Sequence, residues 1–306
     1  MISSIDGSSA QFLADVNRIQ NSLNQVQGQL SSGLRVQVPS DDPSAVTDIL
    51  QLNTEIGQSN QIQTNLSVVK GRVDSSESAL ESAVNMLDQL TTLATQGANG
   101  TQTAQSRADI ALQVRGIQQQ LIGISNTSVE GRYVFSGDQP QSPAYQLDLN
   151  NPNGVDRLLT TSATAQVQDA GGTTFATAET AEVIFDHRDA NDALAPDNVF
   201  AAVQSLAASL ENNDQAGITA AVTSVQQSSA YLNTQLAFYG AVQNRVAAAV
   251  GQVNAYQVQE KTALSARQDA DAVQDSVVLT QDQTHLQTAL SARSKLPTTS
   301  LFDFLH

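Results

Sequence analysis

The chain has 306 residues and a formal net charge of −16 at neutral pH, and it contains neither cysteine nor tryptophan. The lack of cysteine excludes disulfides, thiolate nucleophiles and cysteine-ligated metals. The excess of acid excludes a nucleic-acid-binding protein and disfavours an anionic membrane surface, because no basic patch offsets phosphate repulsion. No run approaches the roughly 18 apolar residues of a membrane-spanning helix.

The first predicted element is an amphipathic helix that ends before Gly33. Its apolar residues are spaced alternately four and three positions apart, which is the seam of a coiled-coil helix. They are Phe12, Val16, Ile19, Leu23, Val26 and Leu30. Gly33 follows as a left-handed helix stop, and Asp42 and Pro43 are expected to cap and begin the next helix.

Two further amphipathic helices are predicted between Pro43 and Val129. The first carries the same spacing from Ile62 to Ala94, and the second carries it from Ile110 to Ile124. A short turn at residues 97–100 separates them, so the two helices are expected to pack antiparallel. We interpret their apolar stripes as core.

A β-rich segment is predicted from residue 133 to residue 195, where three of the seven prolines and several glycine turns lie. Short β-prone stretches between such turns are typical of strands. The candidate strands are Tyr133–Phe135, Tyr145–Leu149, Arg157–Thr161, Ala165–Gln168, Thr173–Ala176 and Ala181–Asp186.

Helices are predicted again from Asp197, a candidate N-cap, with a break at residues 212–214 and a long helix from about Gln215. The apolar seam of the long helix fails between Glu260 and Arg267, and a new register follows it. The new seam comprises Leu279, Asp282, Leu286, Ala289 and Leu296, and the chain ends on a short apolar tail.

The predicted class is therefore mainly α with a small β insert (α+β), with discontinuous helical domains built from both termini and long antiparallel coiled-coil-like helices. Residues 1–42 and 264–306 form the terminal helical domain in this prediction. Residues 43–132 and 196–263 form an inner helical bundle, and residues 133–195 form the β-rich outer domain. An isolated amphipathic helix of this length is marginal in water. The two end helices are therefore expected to pair with each other and with neighbouring copies.

Several motifs in order along the chain resemble the flagellin family. They are Gln29–Val36, Ser40–Pro43, Arg132–Gly137, Tyr239–Val246, Asp269–Asp271 and Ser300–Leu305. Pro43 and the Leu-Phe-Asp-Phe-Leu tail favour the branch of the family at the junction between hook and filament over the filament flagellins.

The resemblance implies a structural subunit that joins hook to filament, with terminal helices that order only on assembly. Its implied partners are copies of itself, the other hook–filament junction protein, flagellin and an export chaperone, with no nucleic acid, membrane or cofactor. It implies an extracellular location reached by type III export, and the first six residues lack the features of a cleavable signal. A filament flagellin is the alternative within the family.

The candidate functional residues form an assembly interface rather than a catalytic, cofactor or metal site. They are Phe12, Val16, Ile19, Leu23, Val26, Leu30, Leu279, Leu286, Leu290, Leu301, Phe302, Phe304 and Leu305. Asp41 with Asp42, and Asp269 with Asp271, are interpreted as helix caps.

A different class of function remains as an alternative: a secreted enzyme or carbohydrate-binding module that uses residues 133–195. Its candidate cluster is Asp186–Asp189, which contains one of the three histidines. Such a cluster serves metal binding or acid–base catalysis in other proteins. We favour the simpler interpretation of a charged turn.

Overall fold

A computed structural model describes residues 2–295, with side chains from residue 9 onward. The described elements are α1 (Ile2–Ser32), α2 (Pro43–Ala98), α3 (Ala104–Ser125), β1 (Ser128–Val129), β2 (Arg132–Tyr133), β3 (Tyr145–Leu147), β4 (Val155–Arg157), β5 (Gln166–Gln168), β6 (Thr174–Ala176), α4 (Ala181–Phe185), α5 (Val199–Glu211), α6 (Gln215–Gln268) and α7 (Ala272–Ser294). Long helices dominate and the strands are short, so the predicted class is confirmed.

The chain divides into two compact units. Unit 1 takes the residues up to Gln58 and those from Gln257 onward, and unit 2 comprises Ser59–Tyr256. The long helices α2 and α6 each contribute residues to both units. Unit 2 contains the β-rich segment together with the helices around it. The division of the chain into terminal, inner and outer domains is not tested by these two units and stays a prediction.

The core of unit 2 is formed by apolar stripes of α2, α3, α5 and α6. Leu66, Leu80 and Leu87 of α2 are fully buried, as is Leu121 of α3. The interpretation of both central stripes as core is therefore confirmed. Burying each such side chain contributes about 1.5–3 kcal/mol.

Helix α3 ends at Ser125, earlier than the predicted Val129. The side chain of the next residue, Asn126, accepts from the amide of Ala144 at 2.8 Å and donates to the carbonyl oxygen of Tyr145 at 2.7 Å. These bonds to the β-rich segment replace the next helical turn, and no local pattern in the sequence reveals them.

The β-rich segment contains three separate two-stranded antiparallel sheets: β1–β2, β3–β4 and β5–β6. Strands lie in or overlap the predicted stretches that begin at Tyr145, Arg157, Ala165 and Thr173. In the stretch Tyr133–Phe135 only Tyr133 belongs to a strand. Phe135 is instead buried, with its ring 5.8 Å from that of Phe185.

The prediction of a strand at Ala181–Asp186 is wrong, because Ala181–Phe185 forms the short helix α4. The hydroxyl of Thr180 accepts from the amide of Val183 at 3.4 Å and caps this helix. Ala181, Ile184 and Phe185 are buried on one face, at the spacing of a helix. That spacing was present in the sequence beside the β-prone composition.

The N-cap of α5 is Asn198 and not the predicted Asp197. The side chain of Asn198 accepts from the amide of Ala201 at 2.9 Å. The carboxylate of Asp197 instead lies 2.7 Å from the ring Nδ1 of His187. A tertiary contact therefore moves the cap by one residue.

Candidate functional site on the paired terminal helices

The main chain after α1 forms a short antiparallel bridge with the break between α6 and α7. Gly33 has a φ of 73°, the left-handed conformation that ends many helices. Leu34 pairs with Asp269, and the amide of Ala270 donates to the carbonyl oxygen of Gly33 at 2.9 Å. These bonds join the ends of three helices within unit 1. We call the segments 33–36 and 267–270 the joint.

The side chain of Arg35 strengthens the joint. Its guanidinium donates to the carbonyl oxygen of Arg267 at 2.6 Å and lies 3.0 Å from the Asp42 carboxylate. Donors from the hydroxyl of Ser44, then from Arg35 and the amide of Ala45, lower the pKa of Asp42 to about 2. An ionised Asp42 therefore precedes the first turn of α2, as its predicted role as a cap requires.

Of the other aspartates, Asp41 and Asp271 bind main-chain groups, and Asp271 is the N-cap of α7 as predicted. The prediction of a cap is wrong for Asp41, whose amide donors precede it in the chain, and for Asp269, whose carboxylate accepts from the Ser265 hydroxyl. Asp41 accepts from the amides of Val38 and Gln37, and these bonds lower its pKa. Asp271 accepts from two amides in the first turn of α7, each at 3.0 Å. Within residues 2–295, no group of three or more histidine or acidic side chains is placed to hold a metal ion.

Helix α1 packs antiparallel against α7. At the far end from the joint, the guanidinium of Arg293 lies 5.6 Å from the ring centre of Phe12 and donates to the hydroxyl of Ser9 at 2.8 Å. Of the predicted interface residues on α1, Leu23 and Val26 are buried, and Phe12, Val16, Ile19 and Leu30 are half-buried. Burial along α1 is therefore greatest towards the joint.

Helix α7 is much less covered than α1, since no residue of Ala272–Ser294 is buried. Leu279 and Leu286 of the predicted interface are half-buried. Among the described side chains of the pair, four large apolar ones are exposed, and we call them the terminal apolar residues. They are Leu13, Val273, Val277 and Leu290, at 59%, 78%, 61% and 52% exposure.

Two acidic side chains of α7 are incompletely satisfied. One carboxylate oxygen of Asp275 and one of Asp282 are shielded from solvent and accept no hydrogen bond from any described residue. Because a shielded polar atom without a partner is unfavourable, both carboxylates weaken the α1–α7 pair. The α1–α7 pair therefore buries few apolar side chains and leaves two shielded carboxylate oxygens without a hydrogen bond from any described residue.

The candidate surface includes side chains both on and off the predicted apolar seam. Leu301, Phe302, Phe304 and Leu305 were also predicted to be interface residues, and they lie outside the described residues. Leu13, Val273 and Val277 were not predicted as interface residues, because they do not lie at the alternating four- and three-residue spacing of the seam. The available signal was the presence of large apolar side chains on an otherwise polar helix face.

The Asp186 cluster of the alternative hypothesis is a buried structural centre. The carboxylate of Asp186 accepts from Tyr145, Asn153, Asn198 and Arg188 at 2.7–3.1 Å. Burial, and then the nearby charge of Asp186, raise the pKa of the Tyr145 hydroxyl. Four donors occupy this carboxylate, so it has little remaining capacity to act as a base or a ligand.

His187 is held in the same region. Its ring lies against that of Tyr231 with centres 4.6 Å apart, and its Nδ1 faces the carboxylate of Asp197. These contacts join the segment after α4 to the residue that precedes the α5 cap and to α6. The arrangement agrees with the interpretation of residues 186–189 as a charged turn.

Both ends of the chain match regions of a known protein family. Residues 4–140 match the bacterial flagellin N-terminal helical region, and residues 215–305 match the bacterial flagellin C-terminal helical region. The chain belongs to the flagellin family. The matched regions include α1 from its third residue onward, the whole of α7, and the chain up to Leu305.

Two curated relatives carry the name flagellar hook-associated protein 3. The flagellin-family chain is 28% identical over 133 residues to flagellar hook-associated protein 3 of Salmonella typhimurium, covering 43% of the chain and 42% of that relative. It is 26% identical over 190 residues to the Escherichia coli protein of the same name, covering 60% and 58%. The chain therefore spans about half the length of these relatives.

Solved structures share the fold. A putative flagellar hook-associated protein from Vibrio parahaemolyticus matches with a TM-score of 0.65 at 23% identity, covering 74% of this chain and 99% of that one. Flagellar hook-associated protein 3 from Legionella pneumophila matches with a TM-score of 0.60 at 14% identity, covering 71% of this chain and 98% of that one.

Among the described residues, none of the helices has the length and apolarity that crossing a membrane requires.

Proposed function

We propose that this chain is a non-enzymatic structural subunit of the bacterial flagellum that assembles at the junction between hook and filament. The observation that carries the proposal is the exposure of the terminal apolar residues on a helix pair with few buried side chains. Two relatives named flagellar hook-associated protein 3 support the junction position.

The physical driving force is burial of the terminal apolar residues by sister chains. Removing apolar surface from water contributes about 25 cal/mol per Å². A subunit with different upper and lower surfaces makes heterologous contacts, and such contacts generate helical stacks. Assembly would therefore cover α7 and stabilise the α1–α7 pair together.

The proposed partners are copies of this chain, the hook-side junction protein and flagellin. Before export, a chaperone would bind the apolar C-terminal segment, and export would follow the flagellar type III pathway without a cleavable signal. Family resemblance supports these partners. The saturated carboxylate of Asp186 supports the absence of catalysis in residues 133–195.

A filament flagellin is the second candidate. The chain is 30% identical over 110 residues to flagellin B of Helicobacter pylori, covering 36% of the chain and 21% of that relative. Deletion of the gene separates the two functions. Loss of the junction subunit leaves cells that release flagellin into the medium without filaments, whereas loss of the flagellin itself leaves no flagellin to release.

A double substitution tests the proposed surface. Val273→Asp with Val277→Asp places two charges among the terminal apolar residues, all of which are more than half exposed. We expect normal secretion and normal circular dichroism but no filaments when this variant replaces the wild-type gene. The matched control is Gln283→Asp with Gln287→Asp, which adds the same charges to exposed positions of α7. Filaments at wild-type number on the valine variant would contradict the proposal.

A further inference from the structure

Unit 2 contains a cavity of about 390 Å³ between α2 and the β-rich segment. Its volume lies within the range of about 300–1,000 Å³ that small-molecule sites occupy. Val69, Arg72, Val73 and Ser76 of α2 form one wall. Their spacing of three and four residues places them on the same helix face.

The opposite wall is positioned by the tight hairpin between β1 and β2. Glu130 and Gly131 have φ angles of 52° and 74°, as a two-residue turn of this type requires. The turn delivers Arg132 and Tyr133 to the cavity. The amide of Tyr133 donates to the carbonyl oxygen of Pro140 at 2.8 Å and fixes this strand against the following loop.

Three donor side chains that line the cavity have no partner in the part of the chain that the structure describes. The guanidinium groups of Arg72 and Arg132 and the hydroxyl of Tyr133 form no hydrogen bond or ion pair with any other described residue. By contrast, Arg157 of the same unit pairs with Glu182 at 2.9 Å. The donors of the cavity are therefore available to a ligand.

The cavity carries an excess of positive charge in an acidic chain. Asp138 is the acidic residue in its lining, and its carboxylate already accepts from the amide and hydroxyl of Thr164 at 3.0–3.1 Å. The lining thus contains two arginines and one aspartate, so its formal charge is positive. Arginine is well suited to carboxylates, because its planar group donates two parallel hydrogen bonds.

We propose that this cavity binds a small ligand that bears a carboxylate, of about the size of a single sugar acid. Arg72 and Arg132 bind the carboxylate, and the hydroxyl of Tyr133 donates to a ring oxygen. Val69 and Val73 contact the apolar face of the ligand. This site goes beyond the proposed structural function and does not depend on it.

Titration of dilute full-length protein with D-glucuronate, followed by calorimetry and amide NMR shifts, tests the proposal. We expect saturable binding of one ligand, with shifts at residues 132–140. Glucose and inorganic phosphate should each bind at least about tenfold more weakly, because glucose lacks the charge and phosphate lacks the ring. Absence of saturation with glucuronate, or equal binding of either comparison compound, would overturn the proposal.

Arg72→Gln with Arg132→Gln should weaken glucuronate binding by at least about tenfold while the fold is retained. The matched control, Arg18→Gln with Lys261→Gln, removes the same charge at exposed positions and should leave binding unchanged. If the double variant does not fold, the two single variants decide, and each should weaken binding measurably. Unchanged affinity in folded variants would overturn the assignment.

Discussion

The guanidinium of Arg35 donates to the main-chain carbonyl oxygen of Arg267 at 2.6 Å, and thereby ties the segment after the first helix to the end of α6. The same guanidinium pairs with Asp42 at the start of α2. One side chain thus links three helix ends within unit 1. The joint fixes the geometry from which α1 and α7 extend as a pair.

Arg35→Ala should loosen the joint without unfolding unit 2. The loss of charge-assisted hydrogen bonds at a partly exposed site corresponds to about tenfold faster amide exchange at residues 33–36. Hydrogen exchange read by mass spectrometry measures this change. Arg18→Ala is the matched control, because Arg18 makes an exposed ion pair with Asp15 within α1. Equal exchange in both variants would show that Arg35 does not hold the joint.

Removing the side chains that donate to Asp42 should raise its pKa, and loss of the Ser44 hydroxyl should raise it more than loss of Arg35. In the folded chain it is lowered from 3.8 to about 2, with the Ser44 hydroxyl as the largest cause and Arg35 next. Ionised Asp42 therefore stabilises the joint above about pH 4, and this contribution is lost as the pH falls through 2. Carboxyl NMR titration should show the midpoint rising in Ser44→Ala and less in Arg35→Ala. A wild-type midpoint near 3.8 would contradict the structure.

Arg107→Ala should destabilise unit 2. The buried guanidinium donates to the carbonyl oxygen of Gly97 at 3.0 Å and to the Asn213 side chain at 2.7 Å, and it also contacts Gln215. Leaving these acceptors unsatisfied should lower the free energy of unfolding by about 3 kcal/mol. Urea denaturation measures the loss.

Leu112→Ala is the control for Arg107→Ala, since Leu112 lies on the same helix and is 72% exposed. Its effect should stay within about 0.5 kcal/mol. A similar small effect for Arg107→Ala would mean that the contacts at the ends of α2 and α6 do not stabilise the unit.

Asp186→Asn should destabilise the β-rich segment. The substitution removes the charge that Arg188 pairs with at 3.0 Å inside a buried cluster, and a loss of about 3 kcal/mol is expected. Thermal denaturation followed by tyrosine fluorescence reports it. Asp156→Asn is the control, because its carboxylate makes one exposed bond to Gln146. Full stability of Asp186→Asn would argue that the cluster has a role other than structure.

Helical periodicity predicted much of the fold. The spacing of apolar residues from Ile62 to Ala94 and from Ile110 to Ile124 was enough to identify the two buried helix faces. The prediction from sequence failed at Ala181–Phe185, where β-prone side chains form a capped helix turn against the core. Such short elements take their conformation from tertiary contacts more than from composition.

The candidate sites were less predictable than the fold. The bridge of Leu34 with Asp269 joins residues from opposite ends of the chain, and periodicity within one helix does not reveal such pairing. The cavity likewise combines Arg72 of α2 with Arg132 of a hairpin. What the sequence did indicate was the thin apolar seam of the end helices, which is a property of each helix alone.

We expect α1 and α7 to be weakly held in a solitary chain and to become stable when sister chains cover the terminal apolar residues. Hydrogen exchange of the dilute monomer and of assembled flagella measures this directly. We expect α7 amides in the monomer to exchange at least about a hundredfold faster than the α2 amides of unit 2, and to become protected on assembly. Protection of α7 in the dilute monomer equal to that of the unit 2 core would contradict the claim.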